Sequence, residues 1–374
     1  MSPLLRLALP ALAAAGTAYA ACSNSATATV QNSGDASALA SCTTFSGSIA
    51  IATGTTDDIA LDGIQQIKGN LVADSNSGIQ RISGADLETI TGTLEINDVP
   101  QLASLNFPKL SEVNIVKMQG LPNLQTLGFD AEVTKASQID IQNTFLENLQ
   151  GLNIEEADVI NIANNPQIAE IDMQVGNVTQ QLTLSYNNAD VNVSFPNLIW
   201  ANNATFRACG SIQMQSLEAL NDSLGIFESN LETFAAPNLT KVEKFLAIVG
   251  NKNLNNISFP QLANLGGNLQ IANNSNLHEI DGFPSLEQVM GAFDISGNIT
   301  KIETPKLNLV KGVFNLQSTG DIGSVCDSFY DPLRDKGRLP KTNTGSSKPT
   351  GAASPLNVPQ SYMGLAGLAA VFLL

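Results

Sequence analysis

The sequence predicts an all-β fold, a right-handed parallel β-helix of about 13 rungs with about 22 residues in each rung. Three observations carry this prediction. A short phrase centred on proline recurs along the chain, strands of alternating apolar residues recur at a similar spacing, and the outward residues of those strands fall 21 to 24 residues apart. A chain of 374 residues usually forms two or three domains. A continuous repeat predicts one long domain instead.

The recurring phrase has the form Phe-Pro-x-Leu, with Ala or Thr in place of Phe in two copies. The six copies occupy residues 107–110, 195–198, 236–239, 259–262, 283–286 and 304–307. Proline has no N–H to give to a strand ladder, so it suits a corner or the first residue of a strand. This half of the repeat is too short and too rich in proline for the convex helix of a leucine-rich horseshoe, which favours the β-helix.

The strands alternate in the manner of Leu94-Glu95-Ile96, so their apolar residues face the core and the middle residue faces outward. The predicted outward column is Ala50, Val72, Glu95, Lys117, Asp140, Asn161, Thr183, Thr205, Ile226, Ala247, Gln270, Asp294 and Asn315. Its polar and charged members form a candidate recognition face, for which we select Glu95, Lys117, Asp140, Asn161, Gln270 and Asp294.

The start of the chain predicts a secretory signal peptide over residues 1–20, because Arg6 precedes an apolar run that ends at the small-residue site Ala18-Tyr19-Ala20. Residues 21–46 form the next segment. In an oxidising compartment we expect Cys22 and Cys42 to form a disulfide that caps the first rung.

The repeat itself is expected over residues 47–325, and it contains Cys209. Cys326 follows the last rung, about 24 Å from Cys209 at the spacing of stacked strands. A disulfide needs Cα atoms within about 7 Å. We therefore predict that Cys209 is a buried free thiol, and the state of Cys326 stays open.

The end of the chain predicts a C-terminal cap and a Ser/Thr/Gly stalk over residues 326–351, followed by an attachment signal for glycosylphosphatidylinositol (GPI). Small residues at 351–353, a polar spacer and a terminal apolar run follow one another in the order that such a signal requires. We predict Gly351 as the attachment residue and removal of residues 352–374. Ala352, Ala353 and Ser346 are open alternatives.

Eight Asn-x-Ser/Thr sequons are candidate N-glycosylation sites in a secreted chain. They are Asn177, Asn192, Asn203, Asn221, Asn238, Asn256, Asn273 and Asn298. Asn273 and Asn298 stand at strand ends, where they are expected to bond inward as ladder residues and to carry a glycan less often than the others.

The repeat resembles the receptor L-domain type of leucine-rich solenoid over residues 45–323. Together with the two terminal signals, it is similar to the fungal GPI-anchored cell-wall organisation proteins, the "extracellular mutant" family and its sporulation-specific relatives. The resemblance implies a role in building or maintaining the wall. It brings no catalytic motif with it.

The charge balance excludes a nucleic-acid partner, because 18 Lys and Arg stand against 34 Asp and Glu and no basic tract occurs. His278 is the only histidine, which argues against a two-histidine metal site, and no cofactor is expected. Along a strand, the members of the adjacent acidic pairs Asp57-Asp58 and Glu155-Glu156 would point to opposite faces, which argues against a catalytic pair. Each pair is expected at a solvated corner.

These observations favour a non-enzymatic, GPI-anchored glycoprotein at the outer face of the plasma membrane or in the cell wall. Its partners are the membrane, through the lipid, and either wall glucan or mannoprotein. Two alternatives stay open. The first is a surface receptor that binds its ligand through the outward column. The second is a polysaccharide-active β-helix enzyme, which needs converging carboxylates, and Glu95, Asp140 and Asp294 are the candidates for these.

Overall fold

The computed structural model describes residues 22–340, which wind through short strands. In chain order the strands are β1 (Ser23–Val30), β2 (Thr44–Ile51), β3 (Ile59–Ala60), β4 (Gln66–Lys68), β5 (Leu71–Asp74), β6 (Arg81–Ser83), β7 (Thr89–Asn97), β8 (Ser104–Asn106), β9 (Glu112–Leu121), β10 (Gln138–Thr144), β11 (Glu156–Ala163), β12 (Glu170–Asp172), β13 (Asn177–Ser185), β14 (Asn192–Ser194), β15 (Trp200–Arg207), β16 (Ser211–Gln213), β17 (Ala219–Leu220), β18 (Leu224–Phe227), β19 (Thr233–Ala235), β20 (Lys241–Val242), β21 (Leu246–Val249), β22 (Asn256–Ser258), β23 (Asn264–Leu265), β24 (Leu269–Ala272), β25 (Glu279–Ile280), β26 (Gln288–Val289), β27 (Phe293–Gly297), β28 (Lys301–Ile302), β29 (Leu309–Val310) and β30 (Phe314–Ser318). The helices are α1 (Ser33–Ala38), α2 (Gly323–Val325), a π-helical turn (Cys326–Tyr330) and α3 (Asp331–Asp335).

The strands pair in parallel throughout the described range. A main sheet of 20 strands runs the length of the molecule, and four smaller sheets of two or three strands cover another side. The predicted parallel β-solenoid is therefore confirmed, with about 13 turns and rungs about 22 residues apart. The right-handed coil stays a prediction.

The proline phrase forms a β-turn in all six copies. The N–H of its leucine donates to the carbonyl three residues earlier over 2.9 to 3.3 Å, so proline occupies the second position of the turn. The ring fixes φ near the value that this position needs. The first and last residues of the phrase are buried, with Phe107 and Leu110 both at 0% exposure. One phrase therefore turns the chain and anchors it in the core.

A second corner follows each main strand, and its first residue has a positive φ in ten successive rungs. These residues are Ser75, Asp98, Gly120, Asn143, Asn164, Tyr186, Ala208, Glu228, Gly250 and Asn273. The left-handed conformation turns the next side chain inward. In five rungs that next residue is a buried asparagine: Asn76, Asn165, Asn187, Asn251 and Asn274.

The buried asparagines form a ladder inside this corner. The Nδ2 atom of Asn251 donates to the Ile226 carbonyl and to Asn274 Oδ1, each over 3.1 Å, and its Oδ1 accepts from the Ser229 N–H over 2.9 Å. Asn165 and Asn187 repeat this arrangement, with 3.0 Å between Nδ2 and Oδ1. Buried backbone groups at the corner thereby gain the partners that they need away from water.

Both ends of the coil are covered. At the start, β1 adds a strand before the first rung, and Cys22 forms the predicted disulfide with Cys42 at a Cα separation of 5.4 Å. At the other end, Tyr330 is 1% exposed, packs against Phe314 with ring centroids 5.3 Å apart, and bonds Thr304 Oγ1 over 3.0 Å. The open sheet edges and the core are thus shielded at each end.

Candidate functional site

The outer face of the main sheet carries a central row with one residue per rung. Register pairs Glu95 with Lys117, Lys117 with Asp140, and Asp140 with Asn161, so these predicted face residues are direct neighbours. The predicted column is wrong at one rung, where Thr205 pairs with Gly225 and Ile226 is buried at 0% exposure.

The first polar stack joins four rungs. Lys117 Nζ donates to Glu95 Oε1 over 2.7 Å, and this hydrogen bond raises the pKa of Lys117. Asp140 Oδ1 accepts from Asn161 Nδ2 over 2.9 Å and from Gln142 Nε2 over 2.7 Å. Each carboxylate of this stack is therefore engaged by a donor from its own or a neighbouring rung.

The second polar stack lies nearer the C-terminal end. Asp294 Oδ1 accepts from Asn315 Nδ2 over 2.7 Å, while its Oδ2 accepts from Gln270 Nε2 over 3.4 Å. Gln270 and Asp294 are thus brought together, but four rungs separate them from Asn161. The six predicted face residues form two clusters on one face.

An aromatic and cationic cluster lies between the two stacks. The Arg207 side chain is 10% exposed, and its guanidinium carbon lies 5.0 Å from the Phe227 ring centroid and 5.8 Å from that of Tyr186. Arg207 Nη1 also pairs with Glu228 Oε2 at 3.2 Å. Since a Cβ on Gly225 would meet Phe227 Cε2 at 2.3 Å, the glycine makes room for this ring.

A shallow, open groove with a mixed polar and apolar lining runs across the main-sheet strands from β7 to β13, with a volume of about 570 Å³. Hydroxyl and amide groups of Thr91, Asn114, Thr134 and Ser137 line it, and Glu155 contributes a carboxylate.

The groove arises where strands are irregular and core side chains are small. Register shifts interrupt the pairing of β7 with β9 and of β11 with β13. At the inward positions beside it, Ala136 and Ala157 replace the larger Val113 and Val178 of adjacent rungs. No sequence motif predicts this groove, and the two alanines in adjacent rungs are the signal that could have indicated it.

The acidic pairs differ in their surroundings. Asp57 accepts from the backbone N–H and hydroxyl of Ser33, and these bonds lower its pKa. Glu155 and Glu156 are both exposed and line the same groove. Glu155 precedes the strand that Glu156 begins, so this pair lies at a solvated corner, as the sequence predicts.

Other reactive groups are isolated in the described range. Residues 22–340 contain no cluster of three or more His, Cys, Asp or Glu that could hold a metal ion. His278 is exposed, with Nδ1 2.8 Å from the Asn298 carbonyl oxygen. Cys209 is buried and free as predicted, and burial raises the pKa of its thiol to about 12. Cys326 is also free and half-buried.

The sequons occupy only the second half of the solenoid. Six of the acceptors are exposed, namely Asn192, Asn221, Asn238, Asn256, Asn273 and Asn298, whereas Asn177 and Asn203 are half-buried. The expectation that Asn273 and Asn298 bond inward is wrong. Asn273 adopts the left-handed corner conformation, which leaves Asn274 to enter the ladder.

The predicted signal peptide, the stalk and the attachment residue Gly351 lie outside the described residues. Within residues 22–340, no helix has the length and apolar character needed to cross a bilayer.

The fold and its outer face define a parallel β-solenoid with a long polar surface, a class of protein that makes contacts along its length. Residues 4–40 match the family model described as Ecm33, GPI-anchored cell wall organization protein. A cell surface GPI-anchored protein of Arthroderma benhamiae is 38% identical over 85% of this chain and 81% of its own length. The protein ecm33 of Aspergillus fumigatus is 36% identical over 89% of this chain and 83% of its own length.

The cell surface GPI-anchored protein ECM33 of Candida albicans is 33% identical over 84% of this chain and 76% of its own length. No solved structure matches the chain. The chain belongs to the fungal family of GPI-anchored cell wall organization proteins, at the cell surface or in the wall. The names of this family describe wall organization and carry no enzymatic activity.

Proposed function

We propose that this protein organises the cell wall without catalysis, as a surface solenoid that a GPI lipid attached at Gly351 holds at the plasma membrane. Neutral wall glucan or mannoprotein is the partner of its long face. Within this proposal, residues 1–20 direct secretion, residues 47–325 form the contact surface, and residues 326–351 cap the solenoid and join it to the anchor.

The spacing of the carboxylates of Glu95, Asp140 and Asp294 on the outer face is the observation that supports a role without catalysis. A glycosidase needs two carboxyl groups about 5–10 Å apart across the scissile bond. Asp140 and Asp294 are seven rungs apart, or about 34 Å at the spacing of parallel strands. Lys117 lies between Glu95 and Asp140 and is bound to Glu95. No two of the candidate acids Glu95, Asp140 and Asp294 therefore flank an open space for a sugar bond.

A ligand-binding receptor is the second candidate function. The polar stacks favour it, because the Lys117 side chain is 39% exposed and the Glu95 side chain 27% exposed. Their outer atoms can therefore contact a partner without any rearrangement of the core.

The experiment is deletion of the gene followed by complementation, with resistance of the wall to Congo red as the readout. We expect deletion to sensitise the cells and the triple variant Glu95→Gln, Asp140→Asn, Asp294→Asn to restore resistance as the wild type does. An enzyme that uses these three carboxylates would lose them in this variant. Failure of correctly located protein to restore resistance, together with a loss of sugar release from wall polysaccharide, would contradict a non-catalytic role. The receptor alternative predicts that a bulky residue at Asp140 or Gln270 abolishes complementation.

A further inference from the structure

The groove between β7 and β13 has polar groups that the fold leaves open. Among the described residues, the Glu155 carboxylate and the Thr91 and Thr134 hydroxyls have no side-chain hydrogen bond or ion pair. All three residues are exposed and line the groove. An ionised carboxylate accepts hydrogen bonds only, and its bonds from hydroxyl donors are strong. Threonine both donates and accepts.

The other acids of the groove are held by their neighbours. Glu112 pairs with Lys135, Asp158 accepts from the Thr179 hydroxyl, and Glu156 accepts from Asn177 Nδ2 over 3.3 Å. Four carboxylates against the single ammonium of Lys135 leave the lining negative. An anionic chain is therefore repelled, whereas a neutral hydroxyl-rich chain meets donors and acceptors without an opposing charge.

The sequons meet the groove only at its C-terminal end. All eight sequons lie at Asn177 or beyond, and the groove begins at Thr89 and reaches Thr179. Asn177 borders the groove through its bond to Glu156, so a glycan there marks its C-terminal limit. The first six rungs of the solenoid carry no sequon.

The shape of the groove also suits a polymer. It crosses five successive rungs, which span about 19 Å at a strand spacing of about 4.8 Å. This spacing is close to the length of one pyranose unit. Successive sugars of an extended chain can therefore meet equivalent positions of successive rungs.

We propose that this groove binds a neutral hexose polymer of the wall, laid along the solenoid axis, with Glu155, Thr91 and Thr134 as hydrogen-bonding groups. The inference rests on the proposed function, because it assigns the wall partner to a particular site. No bond of the polymer is formed or broken.

The test uses the intact protein, released from membranes by phosphatidylinositol-specific phospholipase C, and isothermal titration with the neutral hexose oligomers laminarihexaose and mannohexaose. We expect saturable binding of at least one, a loss of at least tenfold in affinity for Thr134→Trp, and a weaker loss for Glu155→Gln. Thr233→Trp is the matched control, because Thr233 is an exposed threonine outside the groove and outside every sequon. It should stay within twofold of the wild type.

The inference would be overturned by no binding of any neutral oligosaccharide or by equal affinities of Thr134→Trp and Thr233→Trp. Binding that appears only in Asn177→Gln would also overturn it, because it would mean that the protein's own glycan fills the groove. Binding of cationic chitosan alone, abolished by 0.5 M salt, would also contradict it, because an exposed charge attraction is screened at that ionic strength. If Thr134→Trp still complements the deletion strain and no oligosaccharide binds, the groove inference fails while the proposed wall function stands.

Discussion

Replacing the buried ladder residue Asn251 with alanine should destabilise its corner strongly. The side chain is 0% exposed and makes three hydrogen bonds, to Ile226, Asn274 and Ser229. A typical intramolecular bond contributes about 0.5–1.5 kcal/mol, and each buried group left without a partner costs about 1–3 kcal/mol. The Ile226 carbonyl and the Ser229 N–H would both lose this partner, so we expect a total loss of about 3–5 kcal/mol.

Native-state hydrogen exchange is the suitable assay, because a long repeat array need not unfold in one step. The opening free energy at the Ser229 amide should fall by the amount above. Asn253→Ala is the control, because the exposed Asn253 side chain donates to Asn230 Oδ1 over 3.3 Å. In this variant the opening free energy at the Ser229 amide should change by less than about 0.5 kcal/mol. A loss below about 1 kcal/mol in Asn251→Ala, or equal losses in the two variants, would refute the energetic role of the ladder.

Three further predictions follow from single positions. In Gly225→Ala the new methyl group would displace the Phe227 ring, and we expect the opening free energy of β18 in native-state hydrogen exchange to fall by about 1–3 kcal/mol; unchanged exchange would contradict this packing. The native Cys209 thiol should resist iodoacetamide at pH 8 and react after unfolding. Because its pKa is raised to about 12 in the folded state, ionisation opposes folding, and its contribution to stability should be present below about pH 9 and lost as the pH rises towards 12. Glycopeptide mass spectrometry should find a glycan on exposed Asn273 and none on half-buried Asn203; the reverse pattern would contradict the burial argument.

The parallel solenoid could be predicted from the sequence because its signals are local. Proline in the repeated phrase favours a turn in every rung where the phrase occurs. Alternation of apolar and polar residues, as in Leu94-Glu95-Ile96, indicates which side chains enter the core. The spacing of these signals then gives the stacking. No long-range contact has to be known in advance.

The prediction of the outward residue is wrong at one rung, where Ile226 was expected in place of Gly225, and the reason is equally local. Leu224-Gly225-Ile226-Phe227 is apolar at all four positions, so alternation gives no phase there. Glycine faces outward because the Phe227 ring, itself on the outer face, lies across it.

The conformation of the asparagine corners and the position of the groove could not be predicted from the sequence. In the pair Asn273-Asn274, composition cannot decide which asparagine takes the left-handed conformation and which enters the ladder. The groove depends on register shifts and on the small side chains of Ala136 and Ala157 in adjacent rungs, a combination that no single motif announces.

Retention of the intact, phospholipase-released protein on insoluble wall polysaccharide, measured together with newly formed reducing ends over time, tests the central claim most directly. Binding without catalysis predicts saturable retention and no increase in reducing ends. A time-dependent release of sugar that Glu95→Gln, Asp140→Asn or Asp294→Asn abolishes would contradict it.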